Sequence, residues 1–189
     1  LSLLFQCARY VDRMTVLEGE EKERNRLLLE ILTPVAKTYP SEMGVLSVST
    51  GLQVLGGYGF CDEFPLEQYY RDVRIHPIHE GTTSIQGMDI LGRKVVMKEG
   101  KAFLLFLEEL EKTAAEAAKD PELAGQAAAL RHAQEKLREV TGHLTGLALE
   151  GEIELFLADA TLYLELFGLV AVAWQWLLQA LRIREGLAR

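Results

Sequence analysis

Apolar residues recur every three or four positions along most of the chain, and alternating runs of β-branched residues are scarce, which predicts an all-α helical bundle. A first helix is expected from Leu1 to about Leu17, ending near Gly19, with a charged lead from Glu20 to Arg26 into a second. Thr33-Pro34 has the form of a cap followed by a first-turn proline, and Tyr39-Pro40-Ser41-Glu42 that of a further restart or kink. The small and apolar residues from Ser41 to Leu55 predict a closely packed helix, ended by Gly56-Gly57-Tyr58-Gly59.

Pro65 opens a short helix reaching about Val73, whereas Arg74 to Gly81 is excluded from regular helix because Pro77 lacks a donor and biases His76 away from helical geometry. A further helix is expected from about Thr82 to Met97. Beyond Gly100 the character changes: Phe103, Phe106, Leu107, Leu110 and Ala114 recur at helical spacing, with Glu108, Glu109, Glu111 and Lys112 between them. Asp120-Pro121-Glu122 supplies a helix start leading to about Leu149, and a last apolar helix is expected from about Glu152 to Glu185. Lys98-Glu99-Gly100-Lys101 separates two apolar blocks, dividing the chain into units 1–97 and 98–189. Within the last helix, Leu166 to Leu181 is sixteen residues without a charge. That is short of the roughly 20 a bilayer requires, so a buried or interface helix is expected and no membrane span. Trp174 and Trp176 face different sides of that helix, so one core stripe takes only one of them.

At 189 residues and 49% hydrophobic, the chain is large enough to bury a core without staples. A net charge of −8 offers no basic face for a phosphate backbone or an anionic membrane, so nucleic acid and lipid surfaces are not expected partners. Two cysteines, Cys7 and Cys61, fit neither a disulfide framework nor a metal site, and two free thiols in a reducing, cytoplasmic compartment are expected. Leu1 to Tyr10 reads like the middle of a helix; with no initiator methionine, the chain is expected to belong to something longer.

His76, Pro77, Ile78, His79 and Glu80 invite a metal reading, but neither H-E-x-x-H nor H-x-x-E-H is present and Pro77 forbids the helix those motifs use, so no metal is expected. His132 and His143 have no partner cluster. Gly56-Gly57-Tyr58-Gly59 follows a helix instead of a strand and is no dinucleotide-binding fingerprint.

The stretch from Gln53 to Arg93 carries GLQVLGGYGF upstream and then YYRDVRIHPIHEGTTSIQGMDILGRK. Its Gln-x-x-Gly-Gly, Tyr-Arg-Asp and Glu-Gly-Thr elements, in that order and spacing, resemble the C-terminal domain of acyl-CoA dehydrogenases. With LTPVAK upstream and a long helical tail, the likeness is greatest to the branch that contains 3-methylmercaptopropionyl-CoA dehydrogenases. The resemblance implies an FAD enzyme that desaturates an acyl-CoA thioester, in which a base takes the Cα proton while a hydride leaves Cβ. It casts Glu80 as that base and Gly81 as the glycine that lets backbone pass close to substrate.

By the same resemblance, Gln53, Gly56 and Gly57 approach FAD from a neighbouring subunit, and Thr82 and Ser84 contact the flavin, although some relatives carry glutamine at the serine position. Arg71 and Asp72 look like a structural ion pair or hydrogen-bonded pair. Implied partners are an acyl-CoA substrate, an electron-transfer flavoprotein, and further copies of the chain in a homodimer or homotetramer. The location implied is the bacterial cytosol or the mitochondrial matrix. Since the family also uses a helical N-terminal domain and a middle β domain, the 189 residues alone are expected neither to retain FAD nor to turn over substrate. The rival readings are a non-catalytic helical scaffold with inherited motifs, and an acyl-CoA oxidase, which would make peroxide.

Overall fold

Leu27, Leu28, Ile31, Leu32 and Val35 form one stripe at helical spacing, and all five are buried. That stripe decides the path of the longest helix. In the computed structural model, which describes residues 1–187, α1 spans Ser2–Val16 and α2 runs unbroken over Gly19–Leu55, through both Pro34 and Pro40. The restarts expected at Thr33-Pro34 and Pro40 are therefore not made. Two interior prolines cost about 6 kcal/mol together. Burying five large aliphatic side chains returns on the order of 10 kcal/mol, so the tertiary term wins over local preference.

Beyond Tyr39, which packs against the core, α2 contributes no apolar side chain to it. It carries α3 (Leu66–Val73) on a strip of small residues: a Cβ at Gly44 would lie 3.1 Å from the Val73 side chain, and one at Gly51 3.3 Å from Leu66. A 3₁₀ turn over Gly56–Phe60 joins the two.

The helix expected over 82–97 is shorter and changes pitch. α4 covers Thr83–Asp89, and a π turn follows over Ile90–Lys94, with the Val95 N–H donating to the Ile90 carbonyl at 2.9 Å. The wide turn buries Ile90, Leu91 and Lys94 together, and lets the Lys94 ammonium pair with Glu30 and, at 3.8 Å, with Asp89 five residues back. The segment ends in three consecutive left-handed residues, Lys98, Glu99 and Gly100, with φ of 53°, 58° and 82°.

α5 (Lys101–Ala117) buries Phe103, Phe106, Leu107, Leu110 and Ala114 as its pattern requires. α6 starts at Ala124 and ends at Leu149, a few residues after the expected start, because the acidic turn has other employment. Asp120 accepts the Glu122 N–H at 2.9 Å, and Arg184 grips both carboxylates at 2.7 and 2.8 Å.

The last expected helix is split at Asp159 into α7 (Ile153–Ala158) and α8 (Ala160–Leu187). Just past this break α4 crosses the start of α8 at Gly87, where a Cβ would stand 2.8 Å from the Ala160 carbonyl oxygen. By length and composition α8 is apolar enough to cross a bilayer, yet one side of it carries the centre of the bundle. Phe106 stacks on Phe167 with ring centroids 4.7 Å apart, and Trp174 meets Phe106 edge-on at 5.8 Å. The buried Trp174 indole N–H donates to the Thr113 hydroxyl at 2.8 Å, while Trp176 stays exposed. Residues from both sides of the 98–101 turn share this single core.

Candidate functional site

Glu80 sits at the end of an irregular passage from Arg74, anchored by the buried Pro77, and its backbone is left-handed at φ 52°. Side chains avoid that region at a cost of about 1–3 kcal/mol, so surrounding contacts must hold it. Three do. The Lys37 ammonium, from α2, donates to the Gly81 carbonyl at 2.6 Å. The Gln86 amide reaches back to the Glu80 carbonyl at 3.3 Å. The Thr83 hydroxyl donates to the Glu42 carboxylate, again on α2.

Gly81 is required twice over, by its φ of 98° and because a Cβ would stand 2.6 Å from the Gln86 amide nitrogen. Thr82 is the cap of α4, its hydroxyl accepting the Ile85 N–H at a long 3.4 Å. Glu80, Thr82 and Ser84 are exposed, and Gly81 is half-buried.

The structure thus brings Glu80, Gly81, Thr82 and Ser84 together on a loop clamped to the middle of α2. It places Gln53, Gly56 and Gly57 elsewhere, at the far end of α2. Gln53 lies eleven helical residues beyond Glu42 (53 − 42), about 16 Å along the axis. Gln53, Gly56 and Gly57 are exposed, and a Cβ at either glycine would meet nothing within 4 Å. Bare, open backbone of this kind fits the close approach of a pyrophosphate, and the exposed Ser84 hydroxyl beside a capped helix start fits a polar flavin edge.

Arg71 and Asp72 form no ion pair with each other among the described residues; as neighbours on α3 their side chains diverge, and both are exposed. His76 and His79 stand with ring centroids 5.7 Å apart, and His79 Nδ1 lies 3.0 Å from the Ile75 carbonyl. Lys37, Glu42 and Gln86 escaped sequence reasoning. The signal that could have found them is the continuity of α2, which the two prolines mask.

Around these residues several apolar side chains stand exposed among the described residues. Leu46, Val54, Tyr58, Phe60, Ile78 and Ile85 are all exposed on or beside the elements that carry the site. Single exposed apolar residues are ordinary, whereas several gathered on neighbouring elements suit a contact surface.

Residues 5–95 match the family described as acyl-CoA dehydrogenase, C-terminal domain, and residues 106–189 the one described as acetyl-CoA dehydrogenase C-terminal like. The chain is 36% identical over 172 residues to a 3-methylmercaptopropionyl-CoA dehydrogenase of Ruegeria pomeroyi, an alignment covering 90% of this chain and 29% of that protein. It is 35% identical over 133 residues to a butyryl-CoA dehydrogenase of Syntrophomonas wolfei, covering 70% and 22%. In fold it is similar to Caenorhabditis elegans ACDH-11 in complex with C11-CoA, with a TM-score of 0.75 at 23% identity over 95% of this chain and 30% of that one. The chain spans less than a third of the length of these relatives.

Bundle and motif loop together have the all-α form of an acyl-CoA dehydrogenase C-terminal domain. The chain belongs to the acyl-CoA dehydrogenase family, whose members generally bind FAD and act on acyl-CoA substrates.

Proposed function

We propose that the chain is the C-terminal portion of an FAD-dependent acyl-CoA dehydrogenase in which Glu80 is the base for α,β-dehydrogenation. The observation that carries this is the left-handed Glu80-Gly81 backbone, held by Lys37 and Gln86 at a cost that packing alone would not select. The Glu80 carboxylate takes the proton from Cα of the thioester, and the electron pair left there forms the Cα–Cβ double bond as hydride leaves Cβ. FAD, when bound, supplies the acceptor for that hydride. Gly81 lets the backbone approach the acyl group without a Cβ, while Thr82 and Ser84 face the flavin. Gln53, Gly56 and Gly57 meet the cofactor of a neighbouring copy, in keeping with their separation from Glu80, so a homodimer or homotetramer belongs to the reading. An electron-transfer flavoprotein in the same reducing compartment takes up the electrons. Residues 1–97 form the dehydrogenase unit and 98–189 an added helical unit.

The 189 residues alone are inactive in this reading, since the exposed apolar face is where the remaining domains would close over Glu80. Purified by itself, the chain is expected to lack a flavin absorbance band; a yellow protein would contradict that part. In the full-length parent, Glu80→Gln is expected to abolish acyl-CoA-dependent bleaching of the flavin with FAD still bound. Undiminished bleaching would refute the base assignment, and peroxide formation by the unaltered enzyme would make it an oxidase.

A further inference from the structure

α1, the start of α2, α5 and the last third of α8 surround a crevice of about 810 Å³. It adjoins a second hollow of about 360 Å³, and the two share Gln6, Arg9, Leu178 and Arg182. The α8 wall begins at Trp174, fourteen residues beyond the Gly87 crossing at Ala160 (174 − 160), about 21 Å along the helix. The crevice is therefore separate from the Glu80 loop.

Two buried polar groups beside it have no partner among the described residues. The Tyr10 hydroxyl is one, on a side chain only 3% exposed. Burial pushes its pKa up to about 12, so it stays a protonated donor; the nearby Gln6 amide opposes that rise from outside hydrogen-bond geometry. The Gln175 amide nitrogen, in the adjoining hollow, is the other, its carbonyl oxygen being taken by the Ser2 hydroxyl at 2.7 Å. Buried donors left unmet are costly and rare in folded proteins.

The charges around the crevice are equally uneven. Arg24 is held by Glu108 and Glu109 at 2.9 and 2.7 Å, Arg182 by Glu185 at 2.7 Å, and Glu116 by Lys119 at 2.6 Å. Among the described residues that leaves Arg9, Arg13 and Lys112 without a carboxylate, against a single unpaired Glu21. Three cations less one carboxylate leave two positive charges, in a chain whose net charge is −8. Arg9 and Arg13 stand one turn apart on one face of α1, where two planar guanidinium forks can grip one tetrahedral anion. The partly buried Leu178 and Leu181 form an apolar wall beside them.

We propose that this crevice binds an organic phosphate monoester, its dianion held by Arg9, Arg13 and Lys112 with the Tyr10 hydroxyl as donor, and its apolar body running past Leu178 toward Gln175. Charge decides the class. A phosphate monoester carries about −1.5 to −2 at neutral pH, which matches the two unneutralised charges, whereas a carboxylate would leave one over. Inorganic phosphate would leave most of the space unfilled, and ordered water would meet the donors without answering the charge. All the walls come from these 189 residues, so the site is complete without a further domain. It does not rest on the flavin chemistry.

Isothermal titration of the 189-residue chain and of the full-length parent with phenyl phosphate, at fixed ionic strength, should each give a dissociation constant on the order of 100 µM or tighter. Benzyl alcohol, which has the ring without the charge, should not bind. Arg9→Ala combined with Arg13→Ala should weaken binding at least ~10-fold with unchanged helical circular dichroism, and Arg138→Ala on α6 should leave it as it is. Tyr10→Phe should weaken binding about 3–10-fold without lowering Tm in the absence of phenyl phosphate, because the hydroxyl has no partner to lose. No binding at about 10 mM phenyl phosphate would overturn the proposal. So would binding indifferent to the double arginine variant or to Tyr10→Phe, or binding weakened as much by Arg138→Ala. Binding by the 189-residue chain that is lost in the full-length parent would assign the crevice to another segment of the parent and overturn it as well.

Discussion

Alanine in place of glycine usually stabilises a helix, and Gly87 and Gly146 allow the same substitution to be made with opposite expected signs. At Gly87 the new methyl would stand 2.8 Å from the Ala160 carbonyl oxygen, 2.9 Å from its carbonyl carbon and 3.0 Å from the Thr161 nitrogen. All three are backbone atoms at a helix start, so relief requires α4 and α8 to separate. Overpacking of this kind costs about 3 kcal/mol. Against it stands the gain of about 0.5–1 kcal/mol from replacing a helical glycine, leaving a net loss of roughly 2 kcal/mol. For a chain of this size a kcal/mol moves Tm by about 2–4 °C, so Gly87→Ala should lower Tm by roughly 4–8 °C. In Gly146→Ala, within α6, the methyl meets nothing within 4 Å. Only the propensity gain remains, and Tm should rise by about 1–4 °C. Thermal unfolding followed by circular dichroism at the helical minimum reads both. If Gly87→Ala raises Tm as Gly146→Ala does, α4 and α8 do not touch through their backbones.

Thr113→Val removes the acceptor of the buried Trp174 indole N–H and should cost about 1–3 kcal/mol, measured by urea unfolding; a neutral result would mean that the indole has another partner. Lys37→Met removes the 2.6 Å contact to the Gly81 carbonyl. Hydrogen exchange at amides 80–84 should quicken about 10-fold while Tm moves little, and unchanged exchange would show that the loop holds itself. Burial pushes the Cys7 thiol up to about 11, so at pH 8 only about a thousandth of it is thiolate. Ellman's reagent should label the exposed Cys61 first and Cys7 far more slowly; equal rates would place α1 off the core.

Where one face of a helix meets one core, the sequence was legible. The spacing of Phe103, Phe106, Leu110 and Ala114 predicts α5, and all four are buried. It misled where distant parts of the chain decide the local outcome. Pro34 and Pro40 look like breaks only until the burial of Leu27 through Val35 is weighed against them. Nothing near Asp159 announces the split between α7 and α8, and the backbone that crosses beside it, at Gly87, lies some seventy residues earlier. The same division runs through the site. Glu80, Gly81 and Thr82 stand out as a contiguous motif, whereas Lys37, Glu42 and Gln86 act on them through contacts that only a folded α2 and α4 create.

The crossing of Gly87 with Ala160 bears on how such a chain can evolve. Residues 5–95 and 106–189 match separate families, as though a joint near residue 100 allowed either half to be exchanged. Yet Ile90, Leu91 and the backbone at Gly87 are covered from the other half. Recombination at the joint would bare that surface within a turn or two of the glutamate loop. A new tail could be acquired only with a small residue and a helix start able to dock on the same glycine. The two halves are thus bound to be inherited together, and change near Ala160 is constrained by the loop as surely as change beside Glu80 itself.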